Sequence, residues 1–305
     1  MYFLSEEERQ FLVGRLLPQA RRHEVHEELR GWSWREPPLA PPYSVRLGVA
    51  EVASKHCGSG RDVYLRRVLG VKVGPNRAMW EGATLHRALA ELMLRAKQLI
   101  YALGPAECLP GLIGLEAEVP EVAPSGAPAN VDFGELQRRL AGLWAFECHR
   151  VVGRVEAVLA QQPYVGTDSL AMLALPVTVE QQIDGTLLGL SSHLVADAVM
   201  AFAPVVFDVK FDRRRDFHRL TTAAYAMVLE SLCEHPVDVG CIVYVHFVGT
   251  RVLVERDLHL IGDEMRQWLI DERDERTRMV SEEIDPGAAE RCAEGCPYRG
   301  QCRRG

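Results

Sequence analysis

Residues 188–225 read LGLSSHLVADAVMAFAPVVFDVKFDRRRDFHRLTTAAY. Two apolar runs, His193 to Phe202 and Val205 to Phe211, meet at Ala203-Pro204. Each carries one carboxylate, Asp197 and Asp208, that a plain buried strand would not want. Side chains alternate along a strand, so Asp208 and Lys210 point the same way, and a hairpin of the two runs sets Asp197 across from them. Two acids and a lysine in one spot is the chemistry of metal-dependent phosphodiester hydrolysis. Carboxylates hold Mg²⁺ or Mn²⁺ against a phosphate, while the lysine orients or activates the attacking water.

An Asp-x-Lys element alone is weak, because 42 acids and so few lysines in 305 residues give about 0.5 such pairings by chance. Its setting adds weight. Lys210 sits inside an apolar run of an arginine-rich chain, where an unpaired charge would be costly. The plain alternative is a structural Asp208–Lys210 ion pair on an edge strand.

Composition permits this chemistry without demanding it. With 48% apolar and 25% charged residues the chain is ordinary for a globular protein. Its net charge of -7 argues against indiscriminate coating of nucleic acid but leaves room for a local basic groove. Arg21-Arg22, Arg66-Arg67, Arg213 to Arg215 and Arg303-Arg304 are candidate clusters, ordinarily solvated surface; Arg213, Arg214 and Arg215 are favoured for DNA because they follow the acidic site. The opening MYFLSEEERQFL lacks the pattern of a signal peptide, and no apolar stretch approaches a membrane span, so a cytoplasmic location is expected.

The tail is the second signal. Cys292, Cys296 and Cys302 fall in eleven residues where average density supplies about 0.3 cysteine. Thiols crowded into a Gly-containing segment with little core suggest metal ligation, and zinc or an iron-sulfur cluster normally takes four ligands. Cys57, in the small-residue setting HCGSG, is the preferred fourth, with Cys108 in reserve; Cys148, Cys233 and Cys241 sit in helix or strand patterns that suit small core residues.

Along the chain, Ser5 to Trp34 reads as a capped helix and Pro37 to Pro42 as a linker. RDVYLRRVLG reads as another helix, and Glu81 to Leu99 as an amphipathic one, with His86 on a stripe beside its apolar face and Gly82 leaving room for something to approach. Gly104 to Ala129 reads as a long irregular connection, and Val131 to Gln162 as helical again. Leu173 to Ile183 is an edge-strand candidate, Asp216 to Cys233 a helix, Val239 to Leu260 two strands around Gly249-Thr250, and Gly262 to Glu283 a charged helix. The expected division is 1–80, an N-terminal helical region; 81–170, a helical and irregular subdomain; 171–284, the core; and 285–305, the cysteine segment. This order suits an α/β nuclease-type core better than a doubly wound nucleotide fold, whose glycine loop is missing.

Together the pieces resemble a known family. A first cysteine near the N-terminus, GxxxH from Gly82 to His86, Asp197 in LVADAV, Asp208-Val209-Lys210, a helix with Tyr225 and three terminal cysteines look like the RecB-like nucleases with an iron-sulfur clasp. Length, the stretch LGVAEVASKHCGSGRDVYLRRVLG and the tail look most like the CRISPR-associated Cas-four exonucleases of the archaeal type I-A subgroup called Csa-one. The resemblance covers roughly Val45 to the C-terminus. It implies a PD-(D/E)xK core, a 4Fe-4S cluster held by Cys57, Cys292, Cys296 and Cys302 that joins the N- and C-terminal regions, and a Mn²⁺ or Mg²⁺ ion. By position, His86, Asp197, Asp208 and the carbonyl of Val209 would be metal ligands, Lys210 the catalytic lysine, and Tyr225 the tyrosine of the QxxxY helix. Thr221 stands where that motif has glutamine, and x3 separates the first two tail cysteines where many members have x2. The implied activity is water attack on a DNA phosphodiester, trimming single-stranded ends before integration into a CRISPR array, with the Cas-one and Cas-two integration proteins as partners. The segment from Gly104 to Gln162 would help cover or thread the strand. Other readings of the same residues are a non-catalytic DNA-end adaptor and a zinc-clasped repair nuclease.

Overall fold

The computed structural model describes residues 1–200, 204–249, 251–292 and 295–302. Five strands form one sheet in sequential order: β1 (Val177–Ile183), β2 (Leu194–Met200), β3 (Val205–Lys210), β4 (Val239–Val248) and β5 (Arg251–Leu260). All neighbours are antiparallel except β3 and β4, whose parallel pairing requires a crossover helix. That helix is α8 (Arg219–Cys233), whose Leu220, Ala223, Ala226 and Met227 pack against the sheet. β3 is buried at Val205 through Val209 because both faces of the sheet are covered. Pro176 immediately precedes edge strand β1, where no ladder hydrogen bond is lost.

Alternation along the strands splits the interior into two cores. Val205, Phe207 and Val209 face a helical layer, while Val206 faces α8 on the other side. The helical layer holds α5 (Arg77–Gly114), α6 (Phe133–Gln161) and α7 (Thr167–Ala174). On the opposite face α8 packs with α9 (Asp263–Ser281) and the short α3 (Val49–Ala53), and α4 (Arg61–Arg67) sits against α9. At the N-terminus, α1 (Glu6–Phe11) begins at a Ser5–Glu8 capping box, continues through a π-helical turn at Leu12–Leu16 and ends as α2 (Leu17–Arg22). A last short helix, α10 (Arg299–Cys302), lies in the tail.

Several expectations change. The N-terminal helix stops at Arg22 rather than reaching Trp34, because Arg30 and Gly31 are drawn into a buried network on α8. Glu230 there has no exposure and accepts from Arg266 at 2.6 and 2.9 Å, from Arg30 at 2.9 Å, and from the backbone of Gly31 and Val237. Only glycine fits at 31, since a Cβ would lie 2.0 Å from the Met227 carbonyl. The supposed irregular stretch from Gly104 is largely helical to Gly114. Gly104, at φ 70 and ψ 176, breaks α5, and Pro105 then sits at the start of the second segment, where it has no N–H to lose. The room expected beside Gly82 is present, with open space around it. The turn between the runs at Ala203 and the residue Thr250 lie outside the described residues, as do Arg303-Arg304 and Phe202. No helix among the described residues is long and apolar enough to cross a membrane.

Candidate active site

The site forms where β2 and β3 part company. Their ladder runs from Met200↔Val205 to Ala198↔Phe207 and stops, although the next pair in register is Asp197 and Asp208. Beyond that point the backbone donor of Val209 has no strand partner. Asp197 supplies one: its Oδ2 accepts the Val209 N–H at 2.7 Å. The splay leaves a wedge between the strands into which both acids project.

Asp208 is 4% exposed and faces Lys210, whose Nζ lies 3.1 Å from Oδ1 and 2.8 Å from Oδ2. The ammonium thus faces both carboxylate oxygens, with Oδ2 the nearer. The same-face placement expected from strand alternation therefore holds, and the ion pair exists.

His86 arrives from α5, with Nδ1 3.5 Å from Asp197 Oδ2, and its ring stands edge-on to Phe211 at 5.1 Å. The Val209 backbone also favours the protonated form of this imidazole, which places its carbonyl, as an acceptor, on the His86 side. His86, Asp197, Asp208, Val209 and Lys210 thus share one cleft of roughly 780 Å³. With Asp208 drawn onto Lys210, the His86, Asp197 and Asp208 ligand atoms do not all lie within 4.8 Å of one another. The donor set, one imidazole, two carboxylates and a carbonyl, fits a hard or borderline divalent ion such as Mg²⁺ or Mn²⁺ after a small closure.

Burial governs the charges. It pushes the Asp208 carboxyl up to about 6 against the pull of the Lys210 ammonium, with Asp197 adding to the rise. It likewise raises Asp197, which the Val209 N–H and Lys210 resist. It lowers His86 below the usual histidine value. For Lys210 burial acts downward, but Asp208 outweighs it and holds the ammonium above the ordinary lysine value. The lysine is cationic at neutral pH and remains partly open to solvent, with its side chain 26% exposed.

Sequence reasoning missed Glu180. It lines the cleft from β1, between the ladder pairs Val179↔Ala198 and Gln181↔Ala196, and therefore opposite Asp197. Its φ of 49 is unusual for a non-glycine residue inside a strand. Burial and Asp197 raise its carboxyl. The available signal was Gln181, which occupies a position where alternation from Val177 and Val179 asks for an apolar residue.

The remaining candidates divide. Tyr225 on α8 is close enough to Asp208 and Asp197 for their charges to raise its phenol, after burial, but it does not line the cleft. Arg214 is engaged by Glu255 at 3.0 Å and Asp257 at 3.4 Å, whereas Arg213 and Arg215 are exposed without ion pairs among the described residues. The cleft's helical wall is the 83–98 stretch of α5, and no residue of 104–162 lines it. Arg87 on that wall is exposed and has no ion pair among the described residues, whereas Arg95 is held by Glu91 and Glu118.

Away from the cleft, Cys57, Cys292, Cys296 and Cys302 line one small pocket of roughly 80 Å³. Arg61 fastens it: Nη1 donates to the Cys302 carbonyl at 2.7 Å and lies 3.7 Å from its sulfur, while Nε and Nη2 grip Asp285. Ser59 donates to the Gly287 carbonyl, and Asn76 to that of Gly295. No three of the thiols have sulfurs within 4.8 Å of one another, whereas ligands about 2.3 Å from one tetrahedral zinc would sit about 3.8 Å apart. The reserve candidate Cys108 is buried in the helical core instead.

Comparison with known proteins gives the family. Across 295 residues the chain is 30% identical to a CRISPR-associated exonuclease Csa1 of Thermoproteus tenax, covering 95% of this chain and 98% of that protein. It is 29% identical over 281 residues to one of Saccharolobus solfataricus, covering 91% and 92% respectively. Residues 1–305 match the family described as CRISPR-associated exonuclease Csa1, and the chain belongs to that family.

Proposed function

We propose that this protein is a metal-dependent DNA exonuclease that trims single-stranded ends, processing fragments for CRISPR integration alongside the Cas-one and Cas-two proteins in the cytoplasm. The observation that carries the reading is the convergence of Asp208, Lys210, Asp197 and His86 on one open cleft, with the two acids at the point where β2 and β3 separate. His86, Asp197, Asp208 and the Val209 carbonyl would hold Mn²⁺ or Mg²⁺. Such an ion supplies Lewis acidity and neutralises charge on the phosphate.

The chain's own residues do the rest. Asp197 fixes the Val209 peptide through its N–H, which aims the neighbouring carbonyl and keeps the strands apart. Asp208 holds the ammonium of Lys210 at the cleft, where it can donate to a water or to a non-bridging phosphate oxygen as negative charge develops. Arg87 on the cleft wall is placed to meet a backbone phosphate. Arg213 and Arg215 lie beyond the end of β3 as further phosphate contacts, with Arg214 serving β5 instead.

The four thiols that line one pocket are the ligands a 4Fe-4S clasp would use. In such a cluster each thiolate binds a separate iron, so the four sulfurs stand further apart than around one ion. Purified protein with Mn²⁺ and end-labelled single-stranded DNA tests the nuclease reading. Stepwise shortening that falls by about 10²–10⁴-fold in Lys210→Ala is expected. Binding without shortening in the unaltered protein would leave the adaptor reading in its place.

A further inference from the structure

A second cluster of ligating side chains lies near Lys210. His56, Asp212 and His218 each present one ligand atom, and these atoms lie within 4.8 Å of one another, the one such trio among the described residues. We propose that they form a second divalent-metal site, for a borderline transition ion such as Zn²⁺, distinct from the hydrolytic site and from the thiol pocket.

Three separate segments meet here. His56 precedes Cys57 in the turn before α4, Asp212 follows Lys210 by two residues, and His218 ends a 3₁₀ turn, Asp216–His218, that leads into α8. No hydrogen bond or ion pair within 4.0 Å joins His56 or His218 to Asp212, so the three do not satisfy one another. Donors around a tetrahedral ion with bonds of about 2.0–2.1 Å sit about 3.3 Å apart, so closing the trio needs side-chain movement of about an ångström.

Two of the three groups are already oriented by a hydrogen bond. His218 is 3% exposed, and its Nδ1 lies 3.2 Å from the hydroxyl of Tyr244, a tyrosine with no exposure on β4. That leaves Nε2 for an ion, the arrangement that fixes tautomer and ring angle in metal-ligating histidines. Asp212 Oδ1 accepts the Arg213 N–H at 2.7 Å, leaving Oδ2 free. Phe217 stands edge-on to both imidazoles, 5.2 Å from His56 and 4.9 Å from His218, and so sets their spacing. His56 and Asp212 are exposed, which gives an ion a way in.

Two imidazoles and one carboxylate favour Zn²⁺ or Co²⁺ over Mg²⁺ and leave a coordination position open for water. The bound ion would tie the Cys57 turn to the end of β3. It would thereby hold the strand that carries Lys210 against the arm that reaches the thiol pocket.

Equilibrium dialysis of the full chain against Zn²⁺, with elemental analysis, tests the site. Asp212→Asn, at an exposed position, and His218→Gln are each expected to lose one zinc equivalent or weaken it at least tenfold. Asp208→Asn should retain it. With Co²⁺ as the probe, the band belonging to this equivalent should lack thiolate-to-metal charge transfer. Unchanged zinc content in Asp212→Asn, or cobalt whose entire spectrum is that of thiolate ligation, overturns the proposal.

Discussion

As the proposed metal ligand, Asp208 should make metal binding and metal-free stability respond to pH with opposite signs. Its carboxyl titrates at about 6 in the folded chain and near 3.9 when unfolded, so between those values the folded state holds the extra proton. Metal-free stability should therefore fall as pH rises through this window, by up to about 3 kcal/mol once the group is ionised in both states. Mn²⁺ requires the ionised form. Asp208 is about one-tenth ionised at pH 5 and about nine-tenths at pH 7, a tenfold gain in apparent affinity or about 1.4 kcal/mol. Asp197, also raised by burial, steepens the effect. For 305 residues the unfolding entropy is about 0.6 kcal/mol per kelvin, so the manganese-induced rise in Tm should be about 2 °C larger at pH 7 than at pH 5. The assay is thermal melting with and without Mn²⁺ at both pH values, on an Asp212→Asn background that silences the second site. Equal manganese shifts at the two pH values, or a shift that survives Asp208→Asn, would refute the reasoning.

Other consequences follow from single contacts. Glu180→Gln removes a carboxylate opposite Asp197 without touching Lys210. The Mn²⁺ concentration for half-maximal cleavage should rise about tenfold while the saturated rate barely moves, and titration of activity with Mn²⁺ checks it. Glu230→Gln leaves the fully buried Arg266 without its main counter-charge, at a cost of about 3 kcal/mol, or about 5 °C in Tm; a melting curve matching the parent would contradict the network's role. Arg61→Met frees the Cys302 carbonyl and Asp285, so iron and acid-labile sulfide in anaerobically purified protein should drop well below the parent's content. Equal content would show that the thiol pocket does not depend on that guanidinium.

How much of this could be read from residues alone depends on range. The strands and α8 were legible because alternation and 3.6-residue spacing are local, and so was the Asp208–Lys210 pairing, which needs only period two. The stretch after Gly104 was misread because glycine and proline mark a break in a helix as readily as its end; only the backbone shows that Pro105 restarts α5. The N-terminal helix was over-extended because nothing near Arg30 announces Glu230, 200 residues away. His56, Asp212 and His218 went unremarked for the same reason: each is unexceptional in its own neighbourhood, and they meet only after the β3–α8 connection folds back on the Cys57 turn.

The site's origin lies in one missing ladder pair. Had β2 and β3 continued in register, Asp197 and Asp208 would face each other across a closed sheet, two carboxylates raised together by burial and like charge with no cleft for an ion. Because the strands separate there, Val209 loses a backbone acceptor, and Asp197 replaces it while turning the same oxygen toward His86. One side chain thus repairs the sheet and would face the proposed ion. Asp197→Asn can keep the bond to Val209 through its amide oxygen but loses the charge, whereas Asp197→Glu keeps the charge but is one methylene too long for the 2.7 Å bond to Val209. If the wedge is what builds the site, Asp197→Glu should lose both cleavage and the manganese shift despite its conserved charge. If charge alone sufficed, it would keep both.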